Sequence, residues 1–485
     1  MTKVRHQIAN GKLAQLGVLS HEKIITLTEL ANQVAQSDLE TIRILFSDQH
    51  GILRGKAIVA SALPSILANG MAVASTLLLK DTSHRTVFPI WTEEDANKTN
   101  PIHGGGDILL CPDPQTFRRL PWSPQSAWLF CDAFFKSGIP IPFASRMVLS
   151  KAIEQLTKKG LSLTVGLELE FHVFQRCDPL PDHAGTTMPV QPPRTQPLAP
   201  GYQFLTDAIY DSLEPVMDAL RRTAQTMKMP VRSTEVEMGP SQFEFTFEPS
   251  DPMTQADTMV AFRTMVKEVC ARRGLHATFM CRPRLDNVAA SGWHLHQSLS
   301  DNFGRNVFEP AHTNQLSPHA SGWIAGLLSH ANAACLLTTP TVNGYKRYQP
   351  FQLAPDRIQW GRDNRGAMLR ALMTPGDKAS RIENRAPESA ANPYFAIASQ
   401  IYAGLSGLNQ SQTAPPACER PYDSSAPALP TCLLDAVLHF ENSPLYRTQF
   451  GADVVDYLVR IKRAEWDRYV ATLSEWEQAE YFSLF

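Results

Sequence analysis

The chain reads as an α+β protein of two domains, and three observations predict that class. Its 485 residues exceed one ordinary domain. Segments with the period-2 alternation of strands recur along its length, separated by stretches with helical spacing. A proline-bearing tract, Gly138-Ile-Pro-Ile-Pro142, reads as a linker between a small N-terminal unit at about 22–137 and a larger one at 138–485.

In the N-terminal unit, Leu27, Leu30, Ala31 and Val34 have helical spacing over Thr26–Ala35. Thr41–Phe46 follows as a strand, turns through Asp48-Gln-His-Gly51, and Lys56–Ala60 returns antiparallel to it. Ser65–Asn69 is a short helix stopped by Gly70, and segments at 107–111 and 126–131 add strands.

Beyond the linker, Ser145–Lys159 is an amphipathic helix. Val165-Gly-Leu-Glu-Leu-Glu-Phe-His-Val then alternates, so Glu168 and Glu170 share one strand face and Leu167, Leu169 and Phe171 the other. Residues 178–200, with seven prolines, read as a surface excursion without a packing pattern of its own. Asp207–Met227 is helical and Val231–Phe247 the next strand region. In it Gln242, Glu244 and Thr246 alternate with Phe243, Phe245 and Phe247, and Gly239-Pro240 bends the chain so that Glu237 and Glu244 point to one cleft. Trp293-His-Leu-His-Gln-Ser298 puts His294 and His296 on one face. The apolar stretch Gly322–Leu337 carries His330 and Asn332, too short and polar to span a bilayer, and reads as a buried helix. Last, Ser380-Arg-Ile-Glu-Asn-Arg385 sets Arg381, Glu383 and Arg385 on one face with Ile382 behind.

If these strands are neighbours, five carboxylates converge: Glu168, Glu170, Glu237, Glu244 and Glu383. Each like-charged pair at ~4 Å costs on the order of 4 kcal/mol at an effective dielectric of ~20, so the cluster needs divalent cations or stays partly protonated. Oxygen-rich ligation with an imidazole favours Mg²⁺ or Mn²⁺. Lys346, Arg347, Arg362, Arg365, Arg370, Arg381 and Arg385 crowd into forty residues with little complementary acid. Arginines without carboxylate partners await a phosphate or carboxylate from outside, so acids beside arginines describe a phosphoryl-transfer site. One such ladder alone would be an ion-pair structure; its recurrence on four segments favours a site.

Composition bounds the partners. With a formal charge of −2 and no run of Lys or Arg, nucleic acid is not an expected partner. Eight cysteines lack CxxC pairing, so neither a disulfide framework nor a zinc site is indicated, and a reduced cytoplasm fits. The N-terminal residues hold no apolar targeting segment, and no membrane association is expected.

The motifs Gly-Leu-Glu-Leu-Glu-Phe at 166–171, Glu-Met-Gly-Pro-Ser-Gln-Phe-Glu at 237–244, Ser-Gly-Trp-His-Leu-His-Gln-Ser-Leu at 291–299, Asn-Gly-Tyr-Lys-Arg at 343–347, Trp-Gly-Arg-Asp-Asn-Arg at 360–365 and Arg-Ile-Glu-Asn-Arg at 381–385 resemble the glutamine synthetase family in its type I-like branch. The resemblance runs from about residue 41 to the end. It implies an N-terminal β-grasp-like domain at 22–137 and a catalytic domain at 138–485 whose antiparallel sheet forms a partial barrel. It also implies two stacked hexameric rings with sites between neighbours. By position, Glu170, Glu237 and Glu244 would bind one metal and Glu168, His294 and Glu383 the other. His296, Arg365, Arg370 and Arg381 would hold the phosphates of ATP, and Arg347 and Arg385 would grip L-glutamate. The implied reaction passes through γ-glutamyl phosphate, which an amine opens to an amide.

Two departures bear on the amine. Where family members that use ammonia carry an acid six places after the arginine of Tyr-Lys-Arg, this chain has Leu353. The family's Asn-Gly before Ser-Gly-x-His is replaced by Ala289-Ala290. Leucine can neither attract ammonium nor take its proton. With Phe351 beside it and Trp293 next to the metal histidine, an apolar acceptor wall is expected, favouring an aromatic or alkyl amine. Asp81 aligns loosely with an acid that relatives supply from the neighbouring subunit. The γ-glutamylamide synthetases that use organic amines are therefore the nearest kind. A polyamine acceptor, ordinary glutamine synthesis and an inactive regulatory relative are the alternatives. Tyr422 lies where some relatives are adenylylated, in a poorly matching context, and is assigned no role.

Overall fold

The computed structural model describes residues 2–91, 102–178, 183–349 and 353–485. Six strands build the first sheet: β1 Thr41–Ser47, β2 Leu53–Val59, β3 Met71–Ala74, β4 Asp107–Pro112, β5 Arg118–Leu120 and β6 Ser123–Phe134. Their order is β2-β1-β6-β4-β3, with β5 on β6. The β1–β2 pair is antiparallel, as the turn through Gly51 predicts, while β1 and β6 run parallel at the centre. Alternation along β1 buries Ile42, Ile44 and Phe46 against Leu27, Leu30 and Val34 of the helix His21–Ala35. That helix starts where the Ser20 hydroxyl accepts the Lys23 amide, earlier than its apolar spacing shows. The helix Leu63–Asn69 ends at Gly70, whose φ of 75° suits glycine. Short helices Thr2–Ala9 and Lys12–Gln15 add Ile8 and Leu13 to the same core.

The second sheet has nine strands: β7 Leu161–Arg176, β8 Thr195–Pro197, β9 Val231–Val236, β10 Gln242–Phe247, β11 Leu275–Thr278, β12 Trp293–Asp301, β13 Trp360–Arg362, β14 Leu369–Leu372 and β15 Arg381–Asn384. Its order is β13-β14-β15-β12-β7-β10-β9, with β8 and β11 both on β7. All pairs are antiparallel except β13–β14, which is parallel. The mixed helix-and-sheet class and the barrel-like catalytic sheet match the expectation. β7 is the spine, because its sixteen residues pair with β12 first, β10 next, and β11 and β8 at its far end. Phe171 and Phe245 pack with Phe262 of the helix Pro252–Arg272, and Phe243 packs on Phe171, at ring separations of 5.1–5.9 Å.

Two readings are corrected. The apolar stretch 322–337 is two helices, Pro318–Ser329 and Ala331–Thr338, broken at His330. The proline-rich excursion docks, since Thr195–Pro197 pairs with Phe174–Arg176 of β7. The two sheets are joined by a buried cation: Arg146 binds Asp257 through two nitrogens at 2.9 and 2.7 Å, Asp132 at 2.7 Å and Asp113 at 2.9 Å. No helix among the described residues is long and apolar enough to cross a membrane.

Candidate active site

Register decides the site. Glu168 faces His294 across the β7–β12 pair and Thr246 across β7–β10, while Glu170 faces Glu244. On β12–β15, His296 faces Glu383, which in turn faces Arg370 on β14. Four strands therefore deliver their polar face to one place, and Glu237 enters from the turn after β9, its amide donating to the Gln242 carbonyl at 3.0 Å. Three groups of ligand atoms, each within 4.8 Å of one another, result: Glu170–Glu237–Glu244, Glu168–Glu244–His294 and Glu168–His296–Glu383.

The first group is the one expected. The second expected set is divided, because Glu168 stands between both histidines. Its Oε2 lies 3.1 Å from His294 Nδ1 and its Oε1 2.8 Å from His296 Nε2. Glu383 remains 3.8 Å from His294.

Burial opposes charge throughout this face, and neighbours decide which groups stay ionised. Burial, reinforced by Glu237, pushes Glu170 up to about 8. Burial and Glu170 hold Glu244 well above the carboxylate range, and burial raises Glu237 as well. Burial likewise opposes ionisation of Glu168, but hydrogen bonds from His294 and His296 outweigh it and hold its carboxyl low. Burial and Arg385 lower His294 to about 4, leaving a neutral imidazole with a lone pair to offer. Glu170, Glu237 and Glu244 are thus three converging acids whose burial outweighs the nearby Arg347 and Arg385. Hard oxygen donors in that state fit Mg²⁺ or Mn²⁺.

The arginines are more engaged than the sequence suggests. Arg370 donates to Glu383 at 3.1 Å and to Asp363 at 2.9 Å, and Arg385 also binds Glu383. Arg381 donates from Nε to His296 Nδ1 at 3.1 Å. Arg347 is buried and donates to the carbonyls of Arg385, Ala386 and Pro387 at 3.0, 3.0 and 3.2 Å. Arg365 is exposed on the loop between β13 and β14. The reading that these cations lack partners is corrected: Arg370 and Arg385 share Glu383, an acid of the same interval, and only Arg381 takes its partner, His296, from a segment distant in sequence.

Leu353 is exposed, with φ 51°, and its carbonyl accepts from Arg385 at 3.5 Å. Phe351 lies outside the described residues. The acceptor-wall role of Trp293 is corrected: strand alternation sends it opposite to His294, into the main hydrophobic core at 0% exposure. Asp81 is not brought to the cluster within the chain. Its carboxylate accepts from Ser83 and Arg85 amides at 2.9 Å and pairs with Arg468 at 3.2 Å. Tyr422 sits half-buried in a short turn, Pro421–Asp423.

Gln242 is a site residue that sequence reasoning left without a role. Its Nε2 donates to Glu170 Oε2 at 3.0 Å, as does the Gly292 amide, so both fix that carboxylate. Its place on the Glu244 face was the available signal. A cleft of about 940 Å³ opens beside Glu168, His296 and Arg381 and adds Arg232, Arg305 and Lys378 to its walls. No spacing in the sequence links those three cations.

Residues 143–481 match the family described as glutamine synthetase, catalytic domain. A relative from Acinetobacter sp., named gamma-glutamylanilide synthase, is 37% identical over 467 residues, 92% of this chain and 93% of its own. Gamma-glutamylethanolamide synthetase GlnA4 of Streptomyces coelicolor is 31% identical over 479 residues, 97% of this chain and 99% of its own. A solved structure described as apo GmaS without ligand aligns with a TM-score of 0.78 at 30% identity, covering 94% of this chain and 99% of that one.

Proposed function

Because the chain belongs to the glutamine synthetase family, whose members use ATP and divalent metal ions, we propose that it joins the γ-carboxylate of L-glutamate to an aromatic or alkyl amine. Glutamate's side-chain carboxylate attacks the γ-phosphorus of ATP, ADP leaves, and γ-glutamyl phosphate forms. The amine nitrogen then attacks the acyl carbon, the phosphate leaves, and the nitrogen gives up a proton.

Glu170, Glu237 and Glu244 would hold one cation, and Glu168 and Glu383 with His294 or His296 the other. Divalent cations there would neutralise phosphate oxygens. Arg381 and His296, on the wall of the large cleft, orient the nucleotide phosphates together with Arg365 and Arg370. Arg385 approaches the Leu353 carbonyl and so ties the glutamate side of the site to the acceptor side, with Arg347 setting the backbone beneath it. Assembly into stacked rings, with Asp81 of a neighbour completing the acceptor side, belongs to the same reading.

Leu353 carries the choice of amine. Leu353 is 51% exposed, and in this reading its branched hydrocarbon stands in for the acid that would bind ammonium and remove its proton. An amine that is neutral and apolar at working pH needs neither service; aniline, a weak base, meets that description, while an alkylamine such as isopropylamine, protonated like ammonium, matches the apolar wall alone. The two named relatives are amide synthetases for amines other than ammonia, which supports this reading. ATP- and glutamate-dependent phosphate release should be greatest with aniline or isopropylamine in an equimolar panel with ammonium, methylamine, ethanolamine and putrescine. Ammonium or putrescine ranking first would overturn it.

A further inference from the structure

A second cavity of about 310 Å³ lies away from the acid cluster, between the loop after β1 and the helices Pro252–Arg272, Ala331–Thr338 and Ala452–Val470. That volume is at the small end of ligand pockets, about 300–1,000 Å³. Its walls are apolar on several sides, with Ile52, Phe279, Leu336, Leu337, Phe395 and Leu458.

The charge in it is one-sided. Arg263 and Lys267, one turn apart on the same helix, both line it. Arg263 spends its guanidinium on three carbonyls, those of Ser389, Ala391 and Gly51, at 3.1, 2.8 and 3.1 Å. Neither cation has a carboxylate partner among the described residues. Lys462, also on the wall, is neutralised by Glu465 at 2.9 Å. A further lining residue, Gln49, is 5% exposed, and its Oε1 is buried without a hydrogen-bond partner. An unsatisfied buried acceptor calls for an N–H or O–H donor.

We propose that this cavity is a second binding site, for an arylcarboxylic acid that also carries an N–H or O–H donor. The carboxylate answers Lys267 and Arg263, the ring fills the apolar walls, and the donor meets Gln49. Glutamate, with two carboxylates and no apolar body, does not fit that description. The site also touches the reaction machinery. Ser389, whose carbonyl Arg263 holds, donates its hydroxyl to the Gly292 carbonyl at 3.0 Å, and the Gly292 amide donates to Glu170 at 3.0 Å.

The test is calorimetric titration of the full-length protein with 4-hydroxybenzoate and its neutral counterpart 4-hydroxybenzamide, in saturating L-glutamate and ADP so that the reaction cleft is filled. The acid should bind at least tenfold tighter than the amide. Lys267→Met should weaken the acid at least tenfold, and Lys267→Arg should retain it, with basal phosphate release unchanged in both. Equal binding of acid and amide, indifference to Lys267→Met, displacement by glutamate and ADP, or no binding of the acid would each overturn the proposal.

Discussion

Glu383 is fully buried and holds two guanidiniums, those of Arg385 and Arg370. Burial disfavours its charge, yet Arg385 and the histidines keep its carboxyl below the ordinary range. Truncation to alanine strands the buried Arg385 cation, and such a loss costs about 3–5 kcal/mol. Glu383→Ala should therefore show both a lower denaturation midpoint and no phosphate release. Glu383→Gln, which keeps the shape, should lose phosphate release with a smaller loss of stability. Near-normal turnover by either variant would remove Glu383 from the site. Glu388 makes a pH prediction. It is fully buried, bound by the amide and hydroxyl of Thr341 at 2.9 Å each, and burial pushes it up to about 7 from an ordinary 4.5. The native state thus keeps a proton that the unfolded chain releases above about 4.5. Its contribution makes stability fall as pH rises from about 4.5 to about 7, by an amount on the order of 3 kcal/mol, and level off above. Glu388→Gln should flatten that part of the stability curve in chemical denaturation, and an unchanged slope would refute the assignment.

At the scale of elements, the helix pair Pro318–Ser329 and Pro393–Asn409 depends on glycines that let backbones touch. A Cβ on Gly407 would stand 1.9 Å from the Gly322 carbonyl oxygen, and one on Gly326 2.1 Å from that of Ala403. Neither neighbour is a flexible side-chain tip, so Gly407→Ala must separate the helices. A loss of several kcal/mol in stability, about the upper range for overpacking, should appear in thermal unfolding, whereas Gly376→Ala, with open space around it, should cost far less beyond its φ of 79°. Strand alternation was the most legible signal at this scale. Charged and aromatic residues interleave on β7, β10 and β12, and a shift by one residue would send the acids to the apolar face and the aromatic rings to the site. The same parity puts Trp293 with Leu295, so its core position was readable and was overridden by its closeness to His294. Thr195–Pro197 could not be read, because a three-residue strand among prolines has no period and its pairing is set by β7.

For the whole molecule, Asp81 is the telling residue. It is 3% exposed and occupied by Ser83, Arg85 and Arg468 of its own chain. Any part it takes in the acceptor side must come through a second subunit. At the other end of the chain, Trp476, Phe482, Leu484 and Phe485 are 62–98% exposed, an apolar surface that association would cover. Light scattering should find a species much larger than the 53.9 kDa chain, with phosphate release confined to it. A fully active monomer would refute shared sites.

By itself the sequence determined the fold class, the alternation that puts four carboxylates and two histidines on strand faces, and the leucine at position 353. Those properties are local: side-chain period, residue type and spacing along one segment carry them. Only the tertiary structure decided that Glu168 bridges both histidines, that Arg370 joins Arg385 on Glu383, and that Arg263 and Lys267 face an apolar cavity without carboxylate partners among the described residues. The Arg385–Glu383 contact lies along one strand face, but the others depend on which strands and helices become neighbours and in what register, and such pairing leaves no mark in the spacing of any one segment.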